Sequence, residues 1–380
     1  MASPGSSRQT KPVHILFVGA GAVGCFYASR LHHPSENIFV SLTARSNYEA
    51  IATSGVTLET RSFGNYTFIP YAVFPSISAA VPNSSPPPST TLTNPASSKA
   101  PPEDGWDYII VTTKALPDRS DDAALIAPLV SSKSCVVLIQ NGVGVEDPYR
   151  KRFPQTPIVS AVTVISAEQI RDGVVRQNRW TRISLGPYGS GLEGRRSRNG
   201  DGDGEEASEV VRRGGERTAE LARWWTELGG LRDAETHTEL ELQTIRWHKL
   251  CINAAFNPTA VLSGGRGNAE QLEDGELRRH ALGVMDEVWR AAPAVLGKPF
   301  PAHLASPERI VRSTERNAGA RPSMLLDWEA GRPLELEVIL GNPVRIARAA
   351  GVEMPRLQSL YALLRSMQAA RERKKGREKL

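Results

Sequence analysis

A short apolar run, Val13 to Val18, leads straight into Gly19-Ala-Gly-Ala-Val-Gly24, and an amphipathic stretch follows to about His33. That order is strand, glycine turn, helix. Gly19 permits the tight turn, Gly21 lets backbone approach a pyrophosphate, and Gly24 lets the helix pack close to the strand. The helix N-terminus adds free N–H groups and positive potential for an anion. The opening of the chain therefore points to an α/β sheet that holds a dinucleotide.

The pattern continues along the first half. Asn37 to Leu42 reads as a second strand, and Asp107 to Thr112 and Cys135 to Ile139 as two more. The last two are short, β-branched and apolar, as buried parallel strands are. Asp121 to Val130, between them, is helical. Ile158 to Ile165, Gly173 to Gln177 and Thr181 to Leu185 read as further strands in antiparallel arrangement.

Two segments interrupt this. Residues 82–105 are rich in Pro, Ser and Thr, and residues 189–217 in Gly, Arg, Asp and Glu. Neither buries enough apolar surface to offset chain entropy, so both are expected to be disordered insertions. Beyond them helical periodicity takes over: Glu216 to Leu228, Thr238 to Phe256, Glu270 to Leu296, Pro307 to Asn317 and Glu335 to Ala350. Pro258 should end or kink the second of these near Asn257. The expected architecture is an N-terminal Rossmann-type doubly wound α/β domain over residues 1–188 that binds NADP. A flexible insertion over 189–217 and an all-α substrate and catalytic domain over 218–380 complete it. A length of 380 residues accommodates both domains, and the cleft between them is the natural place for a ligand.

Composition narrows the partners. The net charge of +5 is modest, and much of the excess lies from Arg371 onward. A solvated helix end or tail accounts for it. No aromatic or zinc-ligand pattern accompanies it, so no nucleic-acid partner is expected. The three cysteines, Cys25, Cys135 and Cys251, are far apart in apolar contexts, which suits a reducing compartment. Met1 to Pro12 lacks the apolar core of a secretory signal. No apolar run is long enough to span a membrane. A cytoplasmic monomer or homodimer, with no metal site and no membrane partner, is the expectation.

Chemistry concentrates in a few places. Lys249, Asn253 and Asn257 recur at a spacing of four and share one helical face. A cation and two amides in an otherwise apolar stretch suit a small polar molecule better than a packed core. At the end of the second strand an NAD-binding chain usually carries an acid for the ribose. Here Leu42-Thr43-Ala44-Arg45-Ser46 has none, and Arg45 suits a 2′-phosphate, so NADPH is favoured. Lys114 and Asn141 end consecutive parallel strands and so stand at the cofactor rim. A solvated loop lysine and a turn residue before Gly142 are the plainer readings. Glu335, taken alone, reads equally as a carboxylate at a helix N-terminus, and Asp327 as a cap or ion-pair partner.

Taken together, the ordered motifs resemble the ketopantoate reductase (2-dehydropantoate 2-reductase) family. They are Gly-Ala-Gly-Ala-Val-Gly at 19–24, Thr-Lys-Ala at 113–115, Gln-Asn-Gly at 140–142 and Trp-X-Lys-Leu-X-X-Asn at 247–253. Asn-Pro at 257–258, Ser-Met-Leu-X-Asp at 323–327 and the glutamate at 335 follow. The resemblance implies NADPH-dependent reduction of a 2-keto acid to a 2-hydroxy acid. By match, Lys249 is the general acid and Glu335 binds the nascent hydroxyl. Asn253, Asn257, Ser323 and Asn141 hold substrate polar groups. Gly19, Gly21, Gly24, Arg45, Lys114 and Asn141 line the cofactor. Arg321-Pro322 before Ser323 departs from the family pattern, where a second small polar residue is common. Three readings follow: reduction of 2-dehydropantoate, a paralogue reducing another 2-keto acid or a secondary-metabolite carbonyl, and a non-catalytic NADP-binding sensor or scaffold. Retention of both Lys249 and Glu335 argues against the last.

Overall fold

The computed structural model describes residues 11–83, 99–189 and 204–377. Its framework is a ten-stranded sheet. The strands are β1 (Val13–Val18), β2 (Ile38–Thr43), β3 (Val56–Thr60), β4 (Gly64–Phe68), β5 (Val73–Phe74), β6 (Tyr108–Val111), β7 (Cys135–Ile139), β8 (Ile158–Arg171), β9 (Val174–Pro187) and β10 (Ala234–Thr236). Their order is β4-β3-β9-β8-β7-β6-β1-β2-β5, with β10 beside β9. Every pairing from β8 through β7, β6, β1 and β2 to β5 is parallel. The central strands are apolar throughout because both faces of a parallel sheet are covered. Helix α1 (Ala22–Ser29) follows β1 directly, as the glycine turn requires.

The expected strands at 173–177 and 181–185 are one continuous strand, β9, paired antiparallel with β8. The break expected between them is absorbed by register shifts and by Trp180 at φ 54°. The short strands β3, β4 and β5 were not expected from the sequence; β4 is mostly exposed and lacks an apolar run.

The insertions need correction where they are described. Residues 84–98 and 190–203 lie outside the described residues. From Gly204 on, the expected flexible segment is instead helix α2 (Gly204–Arg223), continuing as a π-helical turn Trp224–Leu228. A Cβ on Gly214 would lie 3.1 Å from Pro187, so this helix lies against the sheet. Val210, Leu221 and Trp225 are buried there. Charged residues on the outer face disguise an amphipathic helix in a segment whose average composition reads as disorder. The flank of the other insertion is packed as well, with the Lys99 ammonium 3.8 Å from the Tyr71 ring centroid.

The helical region is built on α3 (Glu239–Leu262). It starts in a capping box, with the Thr238 backbone N–H donating to the Glu241 carboxylate at 2.9 Å. The helix does not end at Pro258. It runs on to Leu262, with Asn257, Pro258, Thr259 and Ala260 all buried. Tertiary packing on both sides outweighs the lost N–H, and the Thr259 hydroxyl donates to the Ala255 carbonyl at 2.7 Å. The expected helix from Glu270 is broken at Asp274, which caps α4 (Gly275–Leu296) by accepting from the Glu276 and Leu277 N–H groups. Helix α5 (Ser323–Glu329), a π-helical turn Glu337–Gly341 and the terminal helix α6 (Pro355–Arg377) complete the part used below. Among the described residues no helix is long and apolar enough to cross a membrane.

One buried cluster fastens α3 to the sheet. The side chains of Arg246 and Glu146 are 2% and 1% exposed and pair at 3.0 Å. Arg246 donates to the Gln140 and Gly142 carbonyls at 2.8 and 2.9 Å, to Ser160 Oγ at 2.6 Å and to the Ala161 carbonyl at 3.1 Å. Glu146 accepts from Ser160 Oγ at 2.6 Å and from Gln243 Nε2 at 3.0 Å. Removing one partner of such a pair leaves a buried charge uncompensated. Glu146→Ala is therefore expected to lower the unfolding free energy by about 3–5 kcal/mol. Urea unfolding of the two proteins checks this; a loss below about 1 kcal/mol would place the docking energy elsewhere.

Candidate active site

The glycine turn is sterically closed on one side and open on the other. Gly19 has φ +115°, and a Cβ there would meet the Thr112 side chain and the Thr113 N–H at 3.0 Å. A Cβ on Gly24 would lie 2.2 Å from the Gly19 carbonyl oxygen, so only glycine brings α1 this close. At Gly21 nothing lies within 4 Å, which leaves its backbone accessible. Thr112 Oγ1 donates to the Gly19 carbonyl at 2.7 Å and ties the turn to the end of β6. Arg45 is exposed just past β2.

The loop after β7 comes next. Gly142 has φ +86°, and a Cβ there would lie 2.3 Å from the Val338 carbonyl. Glycine thus lets the π-helical turn touch the strand end, and the Val143 N–H donates to that same carbonyl at 3.0 Å. This contact brings Glu335, two residues before the turn, to the sheet. Glu335 accepts from the Ala115 N–H at 3.2 Å.

Lys249 lies one helical turn beyond Arg246 and on the same side of α3. Its ammonium donates to Asn141 Oδ1 at 2.8 Å. The Asn141 amide also faces the Glu335 carboxylate and favours its ion, so it stands between the two ionisable groups. Burial is the main cause that brings the Lys249 ammonium down to about 8; the Arg246 charge adds to this and Glu335 opposes it. Burial pushes the Glu335 carboxyl up, against the Ala115 N–H and the Lys114 charge. Two titratable groups joined by one amide, each moved toward neutral pH, are what proton transfer requires.

A small cleft is lined by Gln140, Asn141, Gly142, Val162, Arg246, Lys249, Leu250 and Asn253. It gathers Lys249, Asn141 and Asn253 from the sequence reading. Asn257 is buried one turn further along α3 and is not part of this lining, and Ser323 is exposed at the start of α5. Lys114 differs from expectation in its partner. It makes a close ion pair with the buried carboxylate of Asp327, which also accepts from Arg332 Nε at 3.0 Å. The sequence reading missed Arg246 and Glu146. Their only signal was an arginine three residues before Lys249 in an apolar stretch.

Comparison with known proteins identifies the family. The family model "Ketopantoate reductase PanE/ApbA" matches residues 15–190, and its C-terminal counterpart matches residues 241–368. The chain belongs to the ketopantoate reductase family of oxidoreductases. It is 27% identical to an uncharacterised protein of Saccharomyces cerevisiae over 95% of both chains. A crystal structure of 2-dehydropantoate 2-reductase from Methylococcus capsulatus superimposes with a TM-score of 0.71 at 29% identity, covering 94% of this chain and 98% of that one. D-mandelate dehydrogenase in complex with NADH and anilino(oxo)acetate shares the fold, with a TM-score of 0.68 at 19% identity over 95% and 99% of the two chains.

The depressed lysine is directly measurable. In protein carrying 13C at the lysine ε-carbons, one resonance is expected to titrate near pH 8 and to vanish in Lys249→Ala. Glu335→Gln removes the opposing charge and should move that midpoint lower still. A Lys249 midpoint at the ordinary lysine value of roughly 10.4 would contradict the described environment.

Proposed function

We propose that this family member reduces 2-dehydropantoate to pantoate, with NADPH as hydride donor and Lys249 as proton donor. The observation that carries the reading is the Lys249–Asn141–Glu335 triad, standing at the C-terminal end of the parallel sheet. That end is where open α/β sheets bind cofactors. The open backbone at Gly21, the closed contact at Gly24 and the free N-terminus of α1 fit a pyrophosphate. Arg45, exposed just past β2 where the sequence carries no acid, fits the 2′-phosphate. Lys114 reaches a phosphate only by leaving Asp327, so Arg45 is the cation that sets the preference for NADPH over NADH.

When bound, the reduced nicotinamide supplies a hydride to the carbonyl carbon. Negative charge then builds on the carbonyl oxygen. The Lys249 ammonium stabilises that charge and delivers its proton, leaving a 2-hydroxy acid and a neutral amine that solvent reprotonates. Asn141 aims the ammonium. Glu335 accepts from the nascent hydroxyl and fixes the substrate. Asn253, in the same cleft, and Asn257 and Ser323, outside its lining, bind the remaining polar groups. The reading assigns the chain to pantothenate and coenzyme A biosynthesis in the cytoplasm.

A second reading keeps the chemistry and changes the keto-acid side chain. The departure at Arg321-Pro322, next to Ser323, favours weighing it. Offering a panel of 2-keto acids and following NADPH absorbance separates the two. Preference for 2-dehydropantoate supports the first, preference for another member supports the second, and no turnover with any supports a non-catalytic binder.

Substitutions at two positions test the roles. Lys249→Ala is expected to lower kcat by roughly 10²–10⁴-fold, with NADPH affinity little changed. Lys249→Arg should not rescue, because guanidinium keeps its proton. Near-normal kcat in Lys249→Ala would return Lys249 to a plain helix lysine. Arg45→Asp should weaken NADPH binding far more than NADH binding; equal losses would show that Arg45 does not touch the 2′-phosphate.

A further inference from the structure

The terminal helix α6 does more than end in solvated charge. Its last turns grip one segment, residues 328–334, which runs from the end of α5 through the loop that leads directly into Glu335. Gln368, buried, accepts from the Leu334 N–H at 2.8 Å. Arg371 donates to the Trp328 and Arg332 carbonyls, both at 2.8 Å. Its guanidinium also lies 3.9 Å from the Trp328 ring centroid. Lys375 donates to the Gly331 carbonyl at 3.1 Å. Glu372 makes a close ion pair with Arg119, on the loop that follows Lys114 and Ala115. The same loop supplies the Ala115 N–H to Glu335.

The geometry has a consequence for Glu335. The loop passes through Gly331 at φ +65°, and its Gly331 and Arg332 carbonyls accept from α6 side chains. Alone, such a segment samples many conformations. The α6 side chains fix it at both ends and in the middle, and the next residue after the Gln368 contact is Glu335. Arg371, Glu372 and Lys375 lie beyond residue 368, where the match to the family's C-terminal model stops.

We propose that the C-terminal helix is part of the catalytic framework, with Gln368 and Arg371 as positioning residues that hold loop 328–334 and so aim Glu335. The inference rests on the reading of Glu335 as the group that fixes the substrate. Gln368 and Arg371 touch no substrate; they act through Glu335 alone. Their loss should therefore be felt in keto-acid turnover and not in cofactor binding.

A double-mutant cycle on the full-length protein tests this, with 2-dehydropantoate as the probe, or the keto acid that wild type reduces best. Gln368→Leu removes the acceptor for the Leu334 N–H. It is expected to lower keto-acid kcat/KM by roughly tenfold, while NADPH Kd, read by fluorescence titration, stays within about twofold. Gln368→Glu keeps an acceptor and should restore most of the activity. In the Glu335→Ala background Gln368→Leu should cost nothing further. Arg371→Met, at a partly exposed position, runs the same cycle should Gln368→Leu not fold. A full, additive cost of Gln368→Leu or Arg371→Met on top of a large Glu335→Ala effect overturns the clamp and leaves the role of Glu335 standing. An equal loss of NADPH affinity also overturns it. A Glu335→Ala protein of normal activity overturns the role of Glu335 first and the clamp with it.

Discussion

The buried pair of Arg246 and Glu146 is the constraint on which the site depends. Glu146 starts the short helix after the β7 loop, and Arg246 lies in the middle of α3. Neither charge is exposed, so each tolerates its position only because the other is there, with Ser160, Gln243 and backbone carbonyls completing the shell. A buried pair of this kind contributes little to net stability compared with apolar residues, but it admits one docking of helix on sheet. That docking places Lys249 one turn further along α3, against Asn141. The Arg246 guanidinium then acts on the Lys249 ammonium as a fixed neighbouring cation, adding to burial in drawing its proton affinity down.

The second requirement is that Glu335, from a distant part of the chain, meet the same amide. Gly142 makes this possible by leaving room for the Val338 carbonyl, and the Ala115 N–H receives the carboxylate. The ion pair of Lys114 with Asp327 ties the β6 loop to α5 beside it. Lys249, Asn141 and Glu335, drawn from three separate segments, are thus held by contacts that each join the sheet to the helical region. Glu335 is buried, and burial favours its neutral form, whereas the Ala115 N–H and the Lys114 charge favour the ion; Glu335 in turn raises the proton affinity of Lys249. The pair is poised so that a change of charge on a bound ligand is felt by both.

Much of this was legible in the sequence because it is local. The glycine turn after β1, the apolar runs of β6 and β7, and the face formed by Lys249 and Asn253 all follow from periodicity of two or of 3.6 residues. What was not legible is non-local. The strands β3, β4 and β5 are short or half-exposed and take their order from neighbours far along the chain. β9 passes unbroken through Trp180 because β8 supplies its partners. Pro258 stays inside a helix because both flanks are buried. Residues 209–217 average to a disordered composition, yet Val210 is buried and Gly214 lies against the sheet. Arg246 drew no notice, because its partner Glu146 lies far upstream. The ion-pair partner of Lys114 was not legible either, because Asp327 is distant in sequence.

The central claim is that the Lys249 ammonium is the proton donor to the keto acid. The pH dependence of kcat/KM in both directions tests it most directly. Reduction needs Lys249 protonated, so its rate should be level below about pH 8 and fall as pH rises through that value. Oxidation of the 2-hydroxy acid needs the neutral amine and should rise across the same midpoint. In Lys249→Ala both limbs should disappear, leaving a slow, flat profile. Matching limbs that persist in Lys249→Ala would contradict the account and assign the proton to another group.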